Sequence, residues 1–259
     1  MKYYCIILLF VSLASSQETT PLTHKEFTSS IQNNLFYETD DTSRFIICRG
    51  FVIQYNCEKR TPNFTIHKID KFQLGFNGNE KARRRSNFFT LSGKYCQSAE
   101  NNDYKYSGYD RGHMVPAGDF YSNQLLKNET FILYNICPQI PQFNRGFWAF
   151  LEEQIRNFII ENDLEATIIT GAFYTQSDSV VIGPNLVGIP SYFYKIIYCP
   201  TNNKMYAFFI DQNTSLINPQ IEDFQVRVDD IENIVGEDFF DKLENELEDS
   251  LESSVFRFK

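Results

Sequence analysis

Hydrophobic residues occur in short runs that are separated by polar segments along most of the chain. Five runs rich in Phe, Ile, Val and Tyr predict β-strands: Phe45–Tyr55 with a break near Arg49, Thr65–Ile69, Ala166–Thr170, Phe193–Tyr198 and Met205–Ile210. A different segment repeats apolar residues at steps of three and four, which predicts a helix from about Arg145 to Asn162. Two shorter helices are predicted over Asp229–Ile234 and Phe239–Glu248. Because strands and helices do not alternate strictly, the pattern indicates an α+β fold with a mixed or antiparallel sheet core.

The length and composition favour one folded domain. The chain has 259 residues, of which 42% are hydrophobic and 16% aromatic, and no Pro/Gly/Ser-rich linker divides it. Such a composition supplies enough apolar surface for a sizeable core and excludes global disorder.

The first seventeen residues resemble a secretory signal peptide. Lys2 precedes an apolar run from Tyr3 to Leu13, and the small residues Ala14–Ser16 follow it. The run is shorter than the ~20 residues that span a bilayer, so a membrane anchor is disfavoured. The expectation is a signal peptide at 1–16 and a single domain at 17–259. The protein would then be extracellular or lie in the lumen of the secretory or lysosomal pathway, without a membrane partner.

Cysteines and glycosylation triplets fit that expectation. Besides Cys5 there are five cysteines, an odd number, so at least one does not pair within the chain: Cys48, Cys57, Cys96, Cys137 and Cys199. No Cys-x-x-Cys occurs, which favours structural disulfides over a zinc site, but the pairing stays open. Glycosylation triplets begin at Asn63, Asn128 and Asn213 and would lie on surface loops if they were used.

Charge is distributed unevenly. The net charge of −9 is unusual for a protein that binds phosphates, but acidic residues concentrate between Glu237 and Glu252. A basic run, Lys81 to Arg85, precedes the candidate chemistry described next. The basic run is compatible with a solvated surface or with a phosphate contact.

The segment Asp110–His113 carries the candidate chemistry, because His113 is one of only three histidines. A histidine changes charge near neutral pH, and a neighbouring cation such as Arg111 favours the neutral form that accepts a proton. Four residues of this kind are also typical of a solvated turn.

Further motifs follow in order along the chain. Tyr134–Gln139 and Phe143–Glu152 come first, and later segments are Thr170–Tyr174, Ile189–Lys195, Phe209–Thr214 and Val226–Glu232. The whole set, from about Arg44 to about Leu247, resembles the DNA/RNA non-specific endonucleases, a family of ββα-metal or His-Me finger nucleases that includes endonuclease G. The resemblance implies a ββα-metal catalytic motif and metal-dependent hydrolysis of DNA and RNA to products with 5′-phosphates.

The resemblance also implies roles for individual residues. His113 is the general base, and Asn144 is the direct protein ligand of Mg²⁺, for which Mn²⁺ can substitute. Arg85 contacts phosphate, with Arg84 the alternative because no flanking motif fixes the register. Arg111 offsets phosphate charge or packs the motif turn. From its position, Asn144 is equally suited to cap the helix that follows it.

Two further residues belong to the expected site. The resemblance makes Glu152 an outer group that holds water around the metal, whereas its spacing from Arg156 favours a simple i,i+4 ion pair. Asn135 matches an asparagine of the family and is expected to support the site or contact substrate.

Two alternatives stay open at this point. One is a catalytically inactive relative that binds nucleic acid, although His113, Asn144 and Glu152 are all present. The other is a hydrolase of a different class, although the chain has no Gly-x-Ser-x-Gly, P-loop or Gly-x-Gly-x-x-Gly. The expected partners are DNA and RNA, and a homodimer is compatible with the resemblance.

Overall fold

The computed structural model describes residues 45–75, 81–83, 85, 87–91, 96–175, 179–214, 219–241 and 243–258. The expected signal peptide and Arg84 lie outside these residues.

Eleven strands and four α-helices make up the described part of the chain. The strands are β1 (Phe45–Ile47), β2 (Phe51–Asn56), β3 (Thr61–Asp70), β4 (Asp110–His113), β5 (Ile136–Gln139), β6 (Glu165–Phe173), β7 (Val181–Ile182), β8 (Val187–Gly188), β9 (Tyr192–Cys199), β10 (Lys204–Asp211) and β11 (Gln225–Val226). The helices are α1 (Gln124–Glu129), α2 (Ala149–Glu161), α3 (Val228–Val235) and α4 (Asn245–Glu252).

A seven-stranded sheet organises the molecule, in the order β1-β2-β3-β6-β9-β10-β11. Every neighbouring pair in it is antiparallel. The strands β4 and β5 form a separate two-stranded ladder, and so do β7 and β8. The predicted α+β fold with an antiparallel core is confirmed.

Both faces of the sheet are covered. Phe193 and Ile197 of β9 pack with Leu151 and Ile155 of α2 on one side. The alternate residue Ile196 packs with residues of α3 and α4 on the other. Successive strand residues point to opposite faces, so burial on both sides makes β9 almost continuously apolar.

One helix prediction is wrong in position. Instead of Phe239–Glu248, the last helix is Asn245–Glu252. The ring of Phe239 lies edge-on to Phe64 at 5.2 Å, and Phe240 lies edge-on to Tyr198 at 5.6 Å. Non-helical chain at this point lets both rings reach the sheet, a demand that the local sequence pattern does not reveal.

The cysteines divide as the odd count requires. Cys57 and Cys96 form a disulfide, while Cys48, Cys137 and Cys199 are buried thiols.

Asn63, which begins one of the glycosylation triplets, is not on a loop but in β3, and its side-chain amide donates a hydrogen bond to Gln54 (2.6 Å). Within the described ranges, no helix combines the length and the apolar character needed to cross a bilayer.

Candidate active site

The ladder of β4 and β5 leads directly into helix α2. Asp110 pairs with Gln139 and His113 with Ile136. The segment Asp110–His113 therefore forms a strand and not the solvated turn that the sequence left open. After β5 the chain turns through a π-helical segment, Phe143–Trp148, into α2. Gly112 is required in β4, because a Cβ atom there would overlap the side chain of Gln139. Two strands and a helix thus form the expected ββα unit.

His113 is the last residue of β4, and two aromatic rings hold its imidazole. The ring centroid lies 5.3 Å from that of Phe88 and 4.8 Å from that of Phe131. The side chain is partly exposed, but its Nε2 atom is buried. These contacts restrict the orientation of the ring.

Asn135 fixes the backbone just after His113. It is fully buried, and its side-chain oxygen accepts a hydrogen bond from the Val115 amide (2.9 Å). Its side-chain nitrogen donates to the carbonyl oxygens of Val115 (3.0 Å) and Thr130 (2.9 Å). The expectation of a substrate contact is therefore corrected, because the amide is inaccessible and is occupied by backbone groups. Asn135 supports the site from within.

Two arginines stack on neighbouring phenylalanines near the site. The Arg111 guanidinium lies 4.7 Å from the centroid of Phe88 and donates to the side chain of Asn101 (2.8 Å). The Arg85 guanidinium lies 4.3 Å from the centroid of Phe89 and donates to the Asn87 carbonyl (2.8 Å). Phe88 touches both His113 and Arg111, so this arrangement places positive charge beside the imidazole.

Asn144 lies inside the π-helical turn and is held by β4. Its side-chain nitrogen donates to Asp110 Oδ2 (2.9 Å). Arg145 also donates to Asp110, from Nε to Oδ2 (2.7 Å) and from a terminal nitrogen to Oδ1 (2.5 Å). The capping interpretation of Asn144 is corrected, because its side chain bonds to a carboxylate of another element and not to the helix backbone. The side chain is half-buried, and among the described residues its amide oxygen has no hydrogen-bond donor.

Asp110 stays ionised in this arrangement. The hydrogen bonds from Arg145, together with that from Asn144, hold the pKa of Asp110 below its ordinary value. A carboxylate that only accepts hydrogen bonds fixes the orientation of the Asn144 amide. The sequence interpretation did not include Asp110 or Arg145, although both flank residues it named.

Glu152 faces the sheet, in a group of charged side chains beneath α2. Its Oε1 atom lies 4.0 Å from Lys195 Nζ, which itself donates to Thr170 (2.9 Å) and lies 4.6 Å from the Trp148 ring. Burial raises the pKa of Glu152 to about 7. The predicted ion pair of Glu152 with Arg156 is replaced by one between Arg156 and Asp119 (3.0 Å). No described contact joins Glu152 to Asn144 or His113.

Asp119 is the centre of this buried group. It accepts hydrogen bonds from His67 (2.8 Å) and Arg156 (3.0 Å), and its side chain is only 4% exposed. Burial opposes ionisation, but the His67 hydrogen bond and the Arg156 charge together keep the pKa of Asp119 below its ordinary value. The group joins the segment after His113 to β3 and α2.

Asp119→Asn is expected to lower the free energy of unfolding by about 3 kcal/mol at pH 7, because it leaves buried cations uncompensated. A carboxyl with a depressed folded-state pKa stabilises the fold above its unfolded pKa of about 3.9, and this contribution is lost as pH falls through the folded pKa. The deficit should therefore shrink in urea unfolding as pH is lowered from 7 to 3. Asp163→Asn is the control, because that carboxylate is 67% exposed in its pair with Lys71 and should cost less than about 1 kcal/mol. An equal cost for both variants would contradict the interpretation.

The sequence profile of the DNA/RNA non-specific endonuclease family matches residues 31–246. The chain belongs to this family. The resemblance drawn from the motifs is confirmed, and the match begins earlier than the predicted coverage of about 44–247.

Individual relatives agree with this assignment. The chain is 31% identical to "Nuclease 1, mitochondrial" of Schizosaccharomyces pombe over 206 residues, 72% of this chain and 63% of that protein. It is 36% identical to "Nuclease C1" of Cunninghamella echinulata over 156 residues, 55% of this chain and 61% of that protein. It resembles a chain in the crystal structure of the EndoG/EndoGI complex, with a TM-score of 0.70 and 27% identity over 82% of this chain and 91% of that one. The matches span somewhat less than two thirds of the two nucleases.

The predicted secreted or lumenal location is wrong on this comparison. The matched relatives include proteins named as mitochondrial from yeasts, nematode, zebrafish, mouse and human. The prediction rested on a basic residue followed by an apolar run, and hydrophobicity alone does not identify the compartment to which a targeting segment leads. The glycosylation expected at Asn63, Asn128 and Asn213 depended on that location and stays an untested prediction.

Proposed function

We propose that this protein is a metal-dependent endonuclease whose single domain hydrolyses phosphodiester bonds of DNA and RNA and leaves 5′-phosphates. The observation that carries the proposal is the ββα unit, in which His113 ends β4 while Asp110 of the same strand orients Asn144. A base and a metal ligand are thus held by one rigid element, as catalysis requires. Family membership supports the same activity.

The residues at Asn144 fit a hard divalent cation. With its nitrogen bonded to Asp110, the amide of Asn144 presents its oxygen, the type of ligand that Mg²⁺ prefers. A magnesium ion with one direct protein ligand is chemically reasonable because it retains several waters, and Mn²⁺ accepts the same donors. When bound, the cation supplies Lewis-acid stabilisation of the charge that develops on the phosphate oxygens.

His113 carries the proton transfer. Its imidazole takes a proton from water as the water oxygen bonds to phosphorus and the bond between phosphorus and the 3′ oxygen breaks. The new phosphate stays on the 5′ side, and the 3′ oxygen gains a proton from solvent. Phe88 and Phe131 hold the imidazole in one orientation during this step.

Arg85 and Arg111 offset substrate charge. Stacking on Phe89 and Phe88 fixes the two guanidiniums while their faces toward solvent remain able to bind phosphate oxygens. Arg84 adjoins Arg85 in sequence and is the alternative phosphate contact. Contacts of this kind read the backbone rather than the bases, so cleavage is indifferent to sequence.

Glu152 orders water on the inner side of the site. Its carboxylate, whose Oε1 atom lies 4.0 Å from Lys195 Nζ, can accept hydrogen bonds from water, and no described contact joins it to His113. We assign it a weaker contribution than His113 or Asn144.

Single- and double-stranded DNA and RNA should all be cut by the purified protein, and EDTA should abolish cleavage of each. Rates should fall steeply as salt rises from 50 to 200 mM, because salt competes for phosphate contacts. Ends should ligate directly if they carry 5′-phosphate. Changing Arg83, Arg84 and Arg85 together to Gln should lower the cleavage rate of every substrate by a similar factor.

Three outcomes would contradict the proposal: one dominant cut site, refusal of RNA, or cleavage that survives EDTA. Nucleic-acid binding without any cleavage in Mg²⁺ or Mn²⁺ would instead identify a catalytically inactive relative.

A further inference from the structure

The acidic C-terminal region lies on the face of the sheet opposite α2, and the nuclease activity does not use it. Helices α3 and α4 pack there through buried residues such as Ile231 and Leu251. Asp229 and Glu232 lie on α3, and Glu252 is the last residue of α4. We call these three residues the acidic triad.

The triad brings three carboxylates to one point. One oxygen from each lies within 4.8 Å of one oxygen from each of the others. Asp229 and Glu232 line a cleft of about 370 Å³ together with Gly236, Glu237 and Asp238. Helix α3 contributes only two of the three carboxylates, so helix α4 is needed to complete the group.

Glu252 shows that the group is more than an exposed acidic patch. This residue is only 5% exposed, and its Oε1 atom is buried without a hydrogen-bond donor among the described residues. A buried, ionised carboxylate without a donor is costly, so the side chain takes up a proton unless a cation compensates its charge. The described charges that act on it, from Glu232, Glu248, Asp238 and Asp229, are all negative. They raise the pKa of Glu252 in addition to the effect of burial.

Glu232 is already oriented toward such a partner. Its Oε1 accepts a hydrogen bond from the Phe239 amide (2.8 Å), which fixes the carboxylate and leaves the second oxygen available. On the same helix, the side chain of Asn233 donates to the Asp229 carbonyl (2.7 Å). Asp229 and Glu232 lie on α3 and Glu252 on α4, so all three residues belong to helices rather than to one flexible loop.

We propose that Asp229, Glu232 and Glu252 bind one calcium ion, which ties α3 to α4. Calcium–oxygen distances of 2.3–2.6 Å place the ligands of one ion at most about 5 Å apart, and the triad oxygens, all within 4.8 Å of one another, fit that limit. Mg²⁺ needs shorter distances and near-ideal octahedral geometry, and the triad contains no histidine or cysteine to favour zinc. Water from the open cleft completes the coordination. This site is separate from Asn144 and independent of the proposed nuclease activity.

Calcium binding to the full-length protein tests this directly. After EDTA treatment and dialysis, isothermal titration at constant ionic strength should give one site for Ca²⁺ and much weaker binding of Mg²⁺. At Ca²⁺ about 100-fold above Kd, the Tm should rise by about 5 °C. Asn144→Ala should retain both effects, which excludes the proposed nuclease metal as their source.

Glu252→Gln and Glu246→Gln form a matched pair on α4, because Glu246 is exposed and outside the triad. Glu252→Gln should abolish the Ca²⁺-dependent rise in Tm, and without metal it should melt above the metal-free wild type, because the cost of keeping a carboxyl group buried among like charges is removed. Glu246→Gln should behave as wild type. Asp229→Asn provides a second test and should weaken Ca²⁺ binding at least tenfold.

The proposal is overturned if calcium neither binds nor raises the Tm, or if Glu252→Gln retains the full rise. Nuclease activity in Mg²⁺ should stay within about twofold of wild type in Glu252→Gln. Failure of the calcium site and failure of the proposed nuclease activity therefore give different results.

Discussion

His113→Ala is expected to lower the rate of phosphodiester cleavage by about 10²-fold or more while nucleic-acid binding stays within about twofold. The change removes the general base but leaves the arginines and Asn144 in place. Initial rates on plasmid DNA and on RNA measure the first effect, and fluorescence anisotropy with a short duplex measures the second. Binding and cleavage should therefore separate.

Imidazole provides the control for this variant. Because Phe88 and Phe131 flank the ring, His113→Ala leaves a cavity between them that a small base can enter, and added imidazole should restore part of the rate. Circular dichroism must show an unchanged fold. Activity above about a tenth of wild type in the folded variant, without imidazole, would exclude His113 as the base.

Asn144→Ala is expected to reduce the rate at low Mg²⁺ by at least tenfold, with a deficit that shrinks as Mg²⁺ or Mn²⁺ is raised. The physical reason is that loss of the amide oxygen weakens metal affinity, which mass action can offset. The deficit of His113→Ala should not depend on the metal concentration. Rates across a metal titration, from micromolar to tens of millimolar, distinguish the two variants.

Asn157→Ala is the matched control for this experiment, because Asn157 is an exposed asparagine of helix α2, which directly follows the turn that carries Asn144. It should show wild-type activity at every metal concentration. Glu152→Ala should resemble a milder Asn144→Ala. If Asn144→Ala lowers only the Tm and leaves the metal dependence unchanged, the side chain serves the helix turn and not the metal.

Local pattern was sufficient for the main strands and for helix α2. The strands β3, β6, β9 and β10 each contain a run that the sequence predicted, because covered sheet faces require apolar side chains at successive positions. Burial also explains why periodicity predicted α2. Only one stripe of this helix faces the core, so its apolar residues recur at steps of three and four. The predicted helix over 239–248 failed because Phe239 and Phe240 contact strands far away in sequence.

The catalytic strand could not be predicted in this way. β4 consists of Asp110–His113, three of whose four residues are ionisable, so nothing in its local pattern distinguishes it from a turn. It becomes a strand because β5 supplies hydrogen-bond partners. The chemical role of this segment was predicted only because several motifs follow it in order along the chain.

The sequence by itself determined the α+β class, the family and the identity of His113 and Asn144 as candidates, because these depend on residue type and order along the chain. Tertiary structure alone decided what each side chain contacts. It joined Asp110 to Asn144, 34 positions apart, and turned the amide of Asn135 to the backbone instead of the substrate. It also brought Glu252 to Asp229 and Glu232. Hydrogen bonds and charge interactions act over a few ångströms in space, and only the packed chain determines which residues come that close.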